Sequence, residues 1–95
     1  MTVYVDDYRG RFGRMIMSHM MADSLEELHA FAAQIGMKRE WFQDGSAPHY
    51  DVCQATRARA IQAGAVPISI RSQQWREVYR KAKASRTTPN VEKPL

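Results

Sequence analysis

The spacing of apolar residues changes along the chain, and each change predicts a new strand or helix. Thr2 to Val5 is β-branched and aromatic, which predicts a first strand that ends at Asp6 and Asp7. The six residues after Asp7 include two glycines and predict a loop. Met15 to Met21 is a second apolar run and predicts another strand, which His19 interrupts. The start of the chain therefore predicts two strands joined by a loop.

Helical spacing follows the second strand. The apolar positions that share one helix face are Leu25, Leu28, Ala32 and Ile35. They predict a helix over about Ser24 to Ile35, with Gly36 after its end and His29 at the edge of the apolar face. Asp23 and Ser24 both fit the N-cap, because a glutamate follows each of them three residues later.

An extended segment and a second helix are predicted next. Residues 37–42 form a short strand or an extended segment that buries Trp41 and Phe42, and the glycine- and proline-containing residues after it form a loop. A helix is predicted over about Val52 to Ala63, with Asp51 as its N-cap.

A short strand and a third helix end the predicted domain. Ala65 to Ile70 is an apolar run, which Pro67 limits to a sheet edge or a strand start. The third helix runs from a cap at Ser72 to about Lys83. We therefore predict one domain over residues 1–84 and a disordered basic tail over residues 85–95, where apolar residues are scarce.

This alternating order predicts an α/β fold. We expect a small, at least partly parallel sheet of three to four strands with about three helices. The composition is that of an ordinary globular domain, with 44% hydrophobic and 25% charged residues in 95. In such sheets, ligands bind at the carboxyl ends of the strands.

Charge and cysteine content bear on the partners and the setting. The net charge is +4, and the residues from Arg71 onward hold seven basic residues against two acidic ones. A solvated helix end explains this bias, and so does weak nucleic-acid contact through the basic C-terminal helix. Cys53 is the single cysteine, which predicts a reducing, cytoplasmic setting. No apolar stretch approaches the ~20 residues that a membrane span needs, so we expect no membrane partner.

Polar residues near the predicted element ends are the candidates for chemistry. Asp6 and Asp7 suit a metal ligand or a general base, or simply end a strand. The three histidines lie beside predicted element ends or in acidic motifs, so we expect all three, with Asp6 or Asp7, to converge in one pocket. The predicted ligand-binding residues are Asp6, Asp7, His19, Asp23, His29, His49, Tyr50, Asp51 and Arg57.

The sequence assigns no metal, cofactor or catalytic residue to this set. It has no His-x-x-x-His motif, no paired cysteines, no glycine-rich phosphate loop and no nucleophile elbow. His49-Tyr50-Asp51 is the densest triplet: Tyr50 can stack or donate its hydroxyl, and Arg57 follows as an anion ligand or ion-pair partner.

Several short motifs occur together in an order that points to a known family. They are Val3-Tyr4-Val5-Asp6-Asp7, Ser18-His19-Met20-Met21-Ala22-Asp23, Glu27-Leu28-His29-Ala30-Phe31-Ala32, Arg39-Glu40-Trp41-Phe42-Gln43, Pro48-His49-Tyr50-Asp51-Val52, Arg57-Ala58-Arg59-Ala60 and Gly64-Ala65-Val66. With these motifs the chain resembles the small bacterial and phage proteins of domain of unknown function 4031 over about Val3 to Ile70. The resemblance implies that the polar residues matter and suggests a phage setting, but it supplies no reaction.

Three functions fit these observations. The first is a small binding protein for an anionic, nucleotide-derived ligand, such as a phage sponge that sequesters a host immune signal. Such a protein is expected to form a homo-oligomer, because 95 residues enclose a poor pocket alone. The alternative is a His/Asp-dependent phosphodiesterase or nuclease, with or without a divalent metal. The third is nucleic-acid binding by the basic helix.

Overall fold

A mixed sheet of six strands forms the centre of the protein. The computed structural model describes residues 2–45 and 47–92, with side chains as far as Ser85. The strands are β1 (Val3–Val5), β2 (Gly10–Phe12), β3 (Met15–Ala22), β4 (Phe42–Asp44), β5 (Pro48–Cys53) and β6 (Val66–Pro67). The helices are α1 (Leu25–Gln34), α2 (Gln54–Gln62) and α3 (Gln73–Glu92), with a 3₁₀ turn at Arg39–Trp41. The predicted α/β class is confirmed.

The long strand β3 organises the sheet. The strand order is β4-β5-β3-β1-β6, and β2 pairs with the part of β3 that β1 does not reach. β1 and β6 run parallel, whereas the other pairs are antiparallel. The sheet is therefore partly parallel, as expected, and Pro67 lies on its edge strand. It has more strands than the three to four expected, because β2 and β4 are each only three residues long.

A tight hairpin explains why β2 is missing from the sequence prediction. Phe12 pairs with Met15, which leaves Gly13 and Arg14 as a two-residue turn. Gly13 has a φ of +63°, the positive value that such hairpin turns need at their first central position. The predicted loop is thus partly wrong: its two glycines mark the start of a strand and the turn that follows it.

The helices cover the sheet from both sides. On what we call the α1/α2 face, Met20, Tyr50 and Val52 pack with Leu28 and Ala60. On the α3 face, Met21 and Ile68 pack with Val78, Ala82 and Trp75 of the third helix. Because neighbouring residues of a strand point to opposite faces, β3 directs Met20 to one layer and His19 to the other.

The predicted helix over Val52 to Ala63 begins too early. Pro48, Tyr50 and Val52 alternate with more exposed residues along β5, so the segment is a strand as far as Cys53. Asp51 therefore lies in the sheet and is not an N-cap. Cys53 occupies the cap position of α2 without a side-chain hydrogen bond to the helix backbone.

The structure also shows which residue caps α1 and whether Trp41 and Phe42 are buried. Ser24 is the N-cap of α1, and its side chain accepts a hydrogen bond from Glu27 N. Asp23, the other candidate, accepts instead from Thr2 N at 3.2 Å. Trp41 is 49% exposed, so the expectation that it is buried is wrong, whereas Phe42 packs against the core.

The third helix is longer than predicted. Ser72 caps it as expected, since Ser72 Oγ accepts from Trp75 N at 3.0 Å, and the helix continues to Glu92. The side chains of residues 86–92 and the whole of residues 93–95 lie outside the described residues. The disordered tail therefore stays a prediction. Among the described helices, none is both long and apolar enough to cross a bilayer.

We expect the residues after Ser85 to be dispensable for folding. Val78 and Ala82 are the buried residues of α3 within the part whose side chains are described. A chain ending at Ser85 should keep its free energy of unfolding within about 0.5 kcal/mol of the full chain in urea titrations. As a matched control, Val78→Ala should cost about 1.5–3 kcal/mol. A large loss on truncation would show that the tail packs.

Candidate functional site

A buried carboxylate just after β1 is the centre of the candidate site. Asp6 continues the alternation of β1 and is directed to the α3 face, where it is 0% exposed. Its Oδ1 accepts from the backbone N–H groups of Tyr8 at 3.1 Å and His19 at 2.9 Å. Its Oδ2 accepts from Trp75 Nε1 at 3.0 Å and is 2.8 Å from His19 Nδ1. These donors satisfy both oxygens of a carboxylate that has no access to water.

The same contacts set the charge of the Asp6–His19 pair. Burial alone would raise the pKa of Asp6, but the hydrogen bonds from His19 and Trp75 outweigh burial and hold that pKa below its ordinary value. The hydrogen bond to Asp6 raises the pKa of His19 above its ordinary value, although burial opposes this. Asp6 is therefore ionised, and it fixes the His19 ring with Nδ1 toward the carboxylate.

A second oriented imidazole lies beside the first. His49 and Asp51 share the α3 face of β5, and Asp51 is paired with His19 across the strands. The rings of His19 and His49 meet edge to face with centroids 5.1 Å apart. His49 Nδ1 is 2.8 Å from Ala47 O, an acceptor, so this nitrogen carries the hydrogen. His49 Nε2 is left facing Asp51 Oδ1 at 3.2 Å.

The contact between His49 and Asp51 suits a cation. In neutral His49 with its hydrogen on Nδ1, the Nε2 lone pair would face a carboxylate oxygen at 3.2 Å, which is repulsive. Either a proton on Nε2 or a metal ion between the two atoms removes the repulsion. Two ligands at about 2.0–2.1 Å from one tetrahedral ion lie about 3.3 Å apart, close to the observed separation.

Three residues supply a possible metal-ligand set. His19, His49 and Asp51 each offer one ligand atom, and these atoms lie within 4.8 Å of one another. Two imidazoles and a carboxylate suit a divalent transition metal. The Nδ1 atom of each ring is the outer nitrogen, the one that would not bind the ion. His19 Nδ1 is held by Asp6 Oδ2, and His49 Nδ1 is held by Ala47 O. This outer support is found at most metal-binding histidines, where it fixes the tautomer.

Two positive groups lie next to residues of the site. Arg57, on α2, donates from Nε to Asp6 O at 2.7 Å, which places its guanidinium at the end of β1. The N-terminus of α2 follows Asp51 within three residues. The hydrogen bond with the Thr56 side chain at this helix start lowers the pKa of the Cys53 thiol. A negatively charged group of a ligand is favoured here.

The structure separates His29 and Tyr50 from this site. His29 Nδ1 is 2.8 Å from Tyr50 Oη, and its ring packs edge to face on Phe42. Tyr50 points to the α1/α2 face, because its strand neighbours His49 and Asp51 point to the α3 face. The expectation that all three imidazoles converge is wrong for His29.

Asp7 and Asp23 hold the backbone rather than joining the cluster. Asp7 is exposed and its Oδ1 accepts from Ile70 N at 2.9 Å, ahead of α3. Asp23 follows β3 at the opposite end of β1 from Asp6, and its Oδ1 is 3.9 Å from Lys81 Nζ. Of the two adjacent aspartates, Asp6 is therefore the one that enters the site.

Three residues of the site are missing from the sequence prediction. Tyr8 stacks on the His19 ring with centroids 4.7 Å apart, Gln43 donates to Asp51 Oδ2 at 2.7 Å, and Trp75 binds Asp6. No local pattern marks them. Gln43 and Trp75 reach the site only because β4 pairs with β5 and α3 packs on the sheet.

An open apolar cavity adjoins the metal-ligand set. It has a volume of about 540 Å³, within the range typical of small-molecule sites. Its walls include Phe12, Met15, Met17, Trp41, Gln43 and Asp51. Met17 and Cys53 are the next cross-strand pair on the same face after His19 and Asp51. The cavity therefore continues the site along the sheet.

Replacement of Asp6 should test its role in stability. Asp6→Asn replaces one carboxylate oxygen by an amide NH2 group, and because each oxygen accepts two hydrogen bonds, two N–H groups are left without an acceptor. We expect a loss of about 1–3 kcal/mol in the free energy of unfolding. The neighbouring Asp7→Asn is the matched control and should cost less, since Asp7 is exposed. Equal losses in urea titrations would contradict the central role of Asp6.

The partly buried environment of His29 should make stability depend on pH. Burial lowers the pKa of His29 below 6.5, so the unfolded chain binds more protons just below that value. Its contribution to stability is therefore lost as the pH falls through about 6.5 toward the folded pKa. Wild type should lose more stability than His29→Gln between about pH 7.5 and 5.5 in urea titrations with a chelator present. Parallel pH profiles would exclude this effect.

Comparison with known proteins gives a family but no activity. A family model described as "Protein of unknown function (DUF4031)" matches residues 3–82. No curated protein and no solved structure matches the chain. The matched range contains every residue of the site described above, from Asp6 to Trp75. The chain therefore belongs to the DUF4031 family of proteins of unknown function.

Proposed function

We propose that the chain is a metal-dependent hydrolase of phosphate esters, a phosphodiesterase or nuclease. In this proposal His19, His49 and Asp51 hold one divalent ion. One observation carries the proposal: the outer nitrogens of both imidazoles are bound to oxygens, while His49 Nε2 faces the Asp51 carboxylate at 3.2 Å. That arrangement leaves one nitrogen of each ring available to a metal ion beside the Asp51 carboxylate.

The charges favour a metal site over a site that binds an anion directly. The carboxylates of Asp6 and Asp51 would oppose direct binding of a phosphate group to the imidazoles and offset part of the attraction of Arg57 and the N-terminus of α2. A divalent ion would offset the charges of both carboxylates and accept phosphate oxygens as ligands. Arg57 and the N-terminus of α2 then add attraction for the same negative group. This combination supports a phosphate ester as the substrate.

The reaction is a hydrolysis that consumes one water molecule. Held by His19, His49 and Asp51, a divalent ion would supply a Lewis acid for a phosphoryl oxygen and lower the pKa of a bound water toward about 7. The oxygen of the water would form a new bond to phosphorus while the ester bond to the leaving oxygen breaks, and one proton from the water would pass to the leaving oxygen. Asp6 keeps the His19 ring in place and so acts as a positioning residue.

Calorimetry and a chromogenic assay test the proposal together. Metal-free protein is titrated with Zn²⁺ or Mn²⁺, and hydrolysis of bis(p-nitrophenyl) phosphate is followed with each ion. We expect one ion per chain and metal-dependent release of nitrophenol. His49→Ala should abolish both. Asp6→Asn should weaken metal binding about 10- to 100-fold, as loss of an outer hydrogen-bond partner does.

His29→Gln is the matched histidine control, because His29 lies on the other face of the sheet. It should bind the metal and hydrolyse the ester like wild type. If His49→Ala binds the ion as tightly as wild type, the metal site is refuted. If the ion binds at this site and no phosphodiester is cleaved, the hydrolase proposal fails and the metal site stands.

A second candidate function is binding of an anionic, nucleotide-derived ligand without turnover, as in a phage sponge. The cavity of about 540 Å³ next to Asp51 favours it, since it is large enough for a small ligand. Such a protein would act in the cytoplasm, which fits the free thiol of Cys53, and a homo-oligomer would enclose the ligand better. Incubation with a panel of nucleotides, followed by denaturation, distinguishes the two functions: intact release supports binding, and a changed product supports hydrolysis.

A further inference from the structure

The apolar cavity beside the metal-ligand set has no role in the hydrolysis itself. It is lined in part by Met17 and Cys53, which lie two residues along their strands, about 6.6–6.8 Å, from His19 and Asp51 on the same face. Asp51 belongs both to the ligand set and to the cavity wall. A molecule in the cavity would therefore reach the ion with its adjoining group.

We propose that this cavity binds the planar base of a nucleotide whose phosphate ester is cleaved at the metal site. The inference rests on the proposed function and narrows its substrate class to nucleotide phosphodiesters. Two residues along the strand separate the metal-ligand set, where the phosphate would bind, from the apolar cavity. In a nucleotide, the sugar likewise separates the phosphate from the base.

The walls of the cavity suit a flat aromatic group better than a flexible chain. Phe12 is 68% exposed and Trp41 is 49% exposed, so both offer ring surface at the rim. Met15 and Met17 add thioethers, which make favourable contacts with aromatic rings. Glu40 and Gln43 lie among these apolar groups and can hydrogen-bond to the edge of a base.

Methyl NMR of the methionines tests the cavity without the metal. Protein labelled at the methionine methyl groups is titrated with adenosine and cytidine in the presence of a chelator. Ring currents from a stacked base should shift the Met15 and Met17 signals. Met20 and Met21 are buried away from the cavity and serve as internal controls. Because nucleosides carry no phosphate, this binding does not depend on the hydrolase proposal.

Replacement of Trp41 gives the second readout. Base stacking on an aromatic side chain contributes about 1–3 kcal/mol, so Trp41→Ala should weaken nucleoside binding about 5- to 150-fold. Since Trp41 is half-exposed, the variant should fold, which the unchanged Met20 and Met21 signals would confirm. Ribose, which lacks a base, should shift none of the methionine signals.

Three results would overturn the inference. Shifts with hexanoate but not with nucleosides would assign the cavity to an aliphatic chain. Shifts of Met15 and Met17 that depend on protein concentration alone would assign it to a second copy of this chain. Nucleoside binding that Trp41→Ala leaves unchanged would place the base elsewhere. Any of these results, together with active phosphodiester hydrolysis, would refute the base site and leave the metal site intact.

Discussion

The carboxylate of Asp6 is the contact on which the α3 face of the sheet depends. It joins three separate parts of the chain: the segment after β1, the central strand at His19, and the third helix at Trp75. A buried charge is costly unless its partners are in place, so these parts must adopt one relative arrangement. The same contact orients the His19 ring. Stability and the geometry of the candidate site therefore share one residue.

Strand alternation decides which polar residues can act together. On β5, His49 and Asp51 point to the α3 face and Tyr50 points to the opposite one. His29 lies on the same face as Tyr50, because His29 Nδ1 is 2.8 Å from Tyr50 Oη. Among the described residues, polar side chains thus meet on both sides of one sheet. The more accessible side combines imidazoles and carboxylates, whereas the other pairs a histidine with a buried tyrosine.

Sequence patterns predicted the features that depend on local periodicity. The strand before Asp6, the helix that starts after Ser24 and the edge position of Pro67 all follow from spacing, capping or the missing proline N–H. The pattern failed for β5. In the sequence, His49-Tyr50-Asp51 before an alanine-rich segment is typical of a helix start, whereas the buried alternation of Pro48, Tyr50 and Val52 becomes visible only once the strand has partners.

The site itself could be predicted only in part, because the sequence does not give the strand pairing that brings its residues together. Asp6, His19, His49, Asp51 and Arg57 were among the predicted residues, because their types carry chemistry wherever they occur. Which of them meet depends on strand register, since His19 faces Asp51 only through the pairing of β3 with β5. Trp75 is 69 residues away from Asp6 along the chain, and no spacing rule connects them.

The α3 face is divided into a part that the third helix covers and a part that stays open. This division explains how a chain of 95 residues can hold both a core and a site. Near β1 and β6, the third helix buries Met21 and Ile68 and supplies stability. In the middle of the face, His19, His49 and Asp51 are only partly covered, as a site that exchanges ligands requires. Beyond them, Met15 and Phe12 remain exposed. Exposed apolar groups of this size are a liability in a small domain unless a ligand or partner covers them, so the open part of the face is best explained as a binding surface.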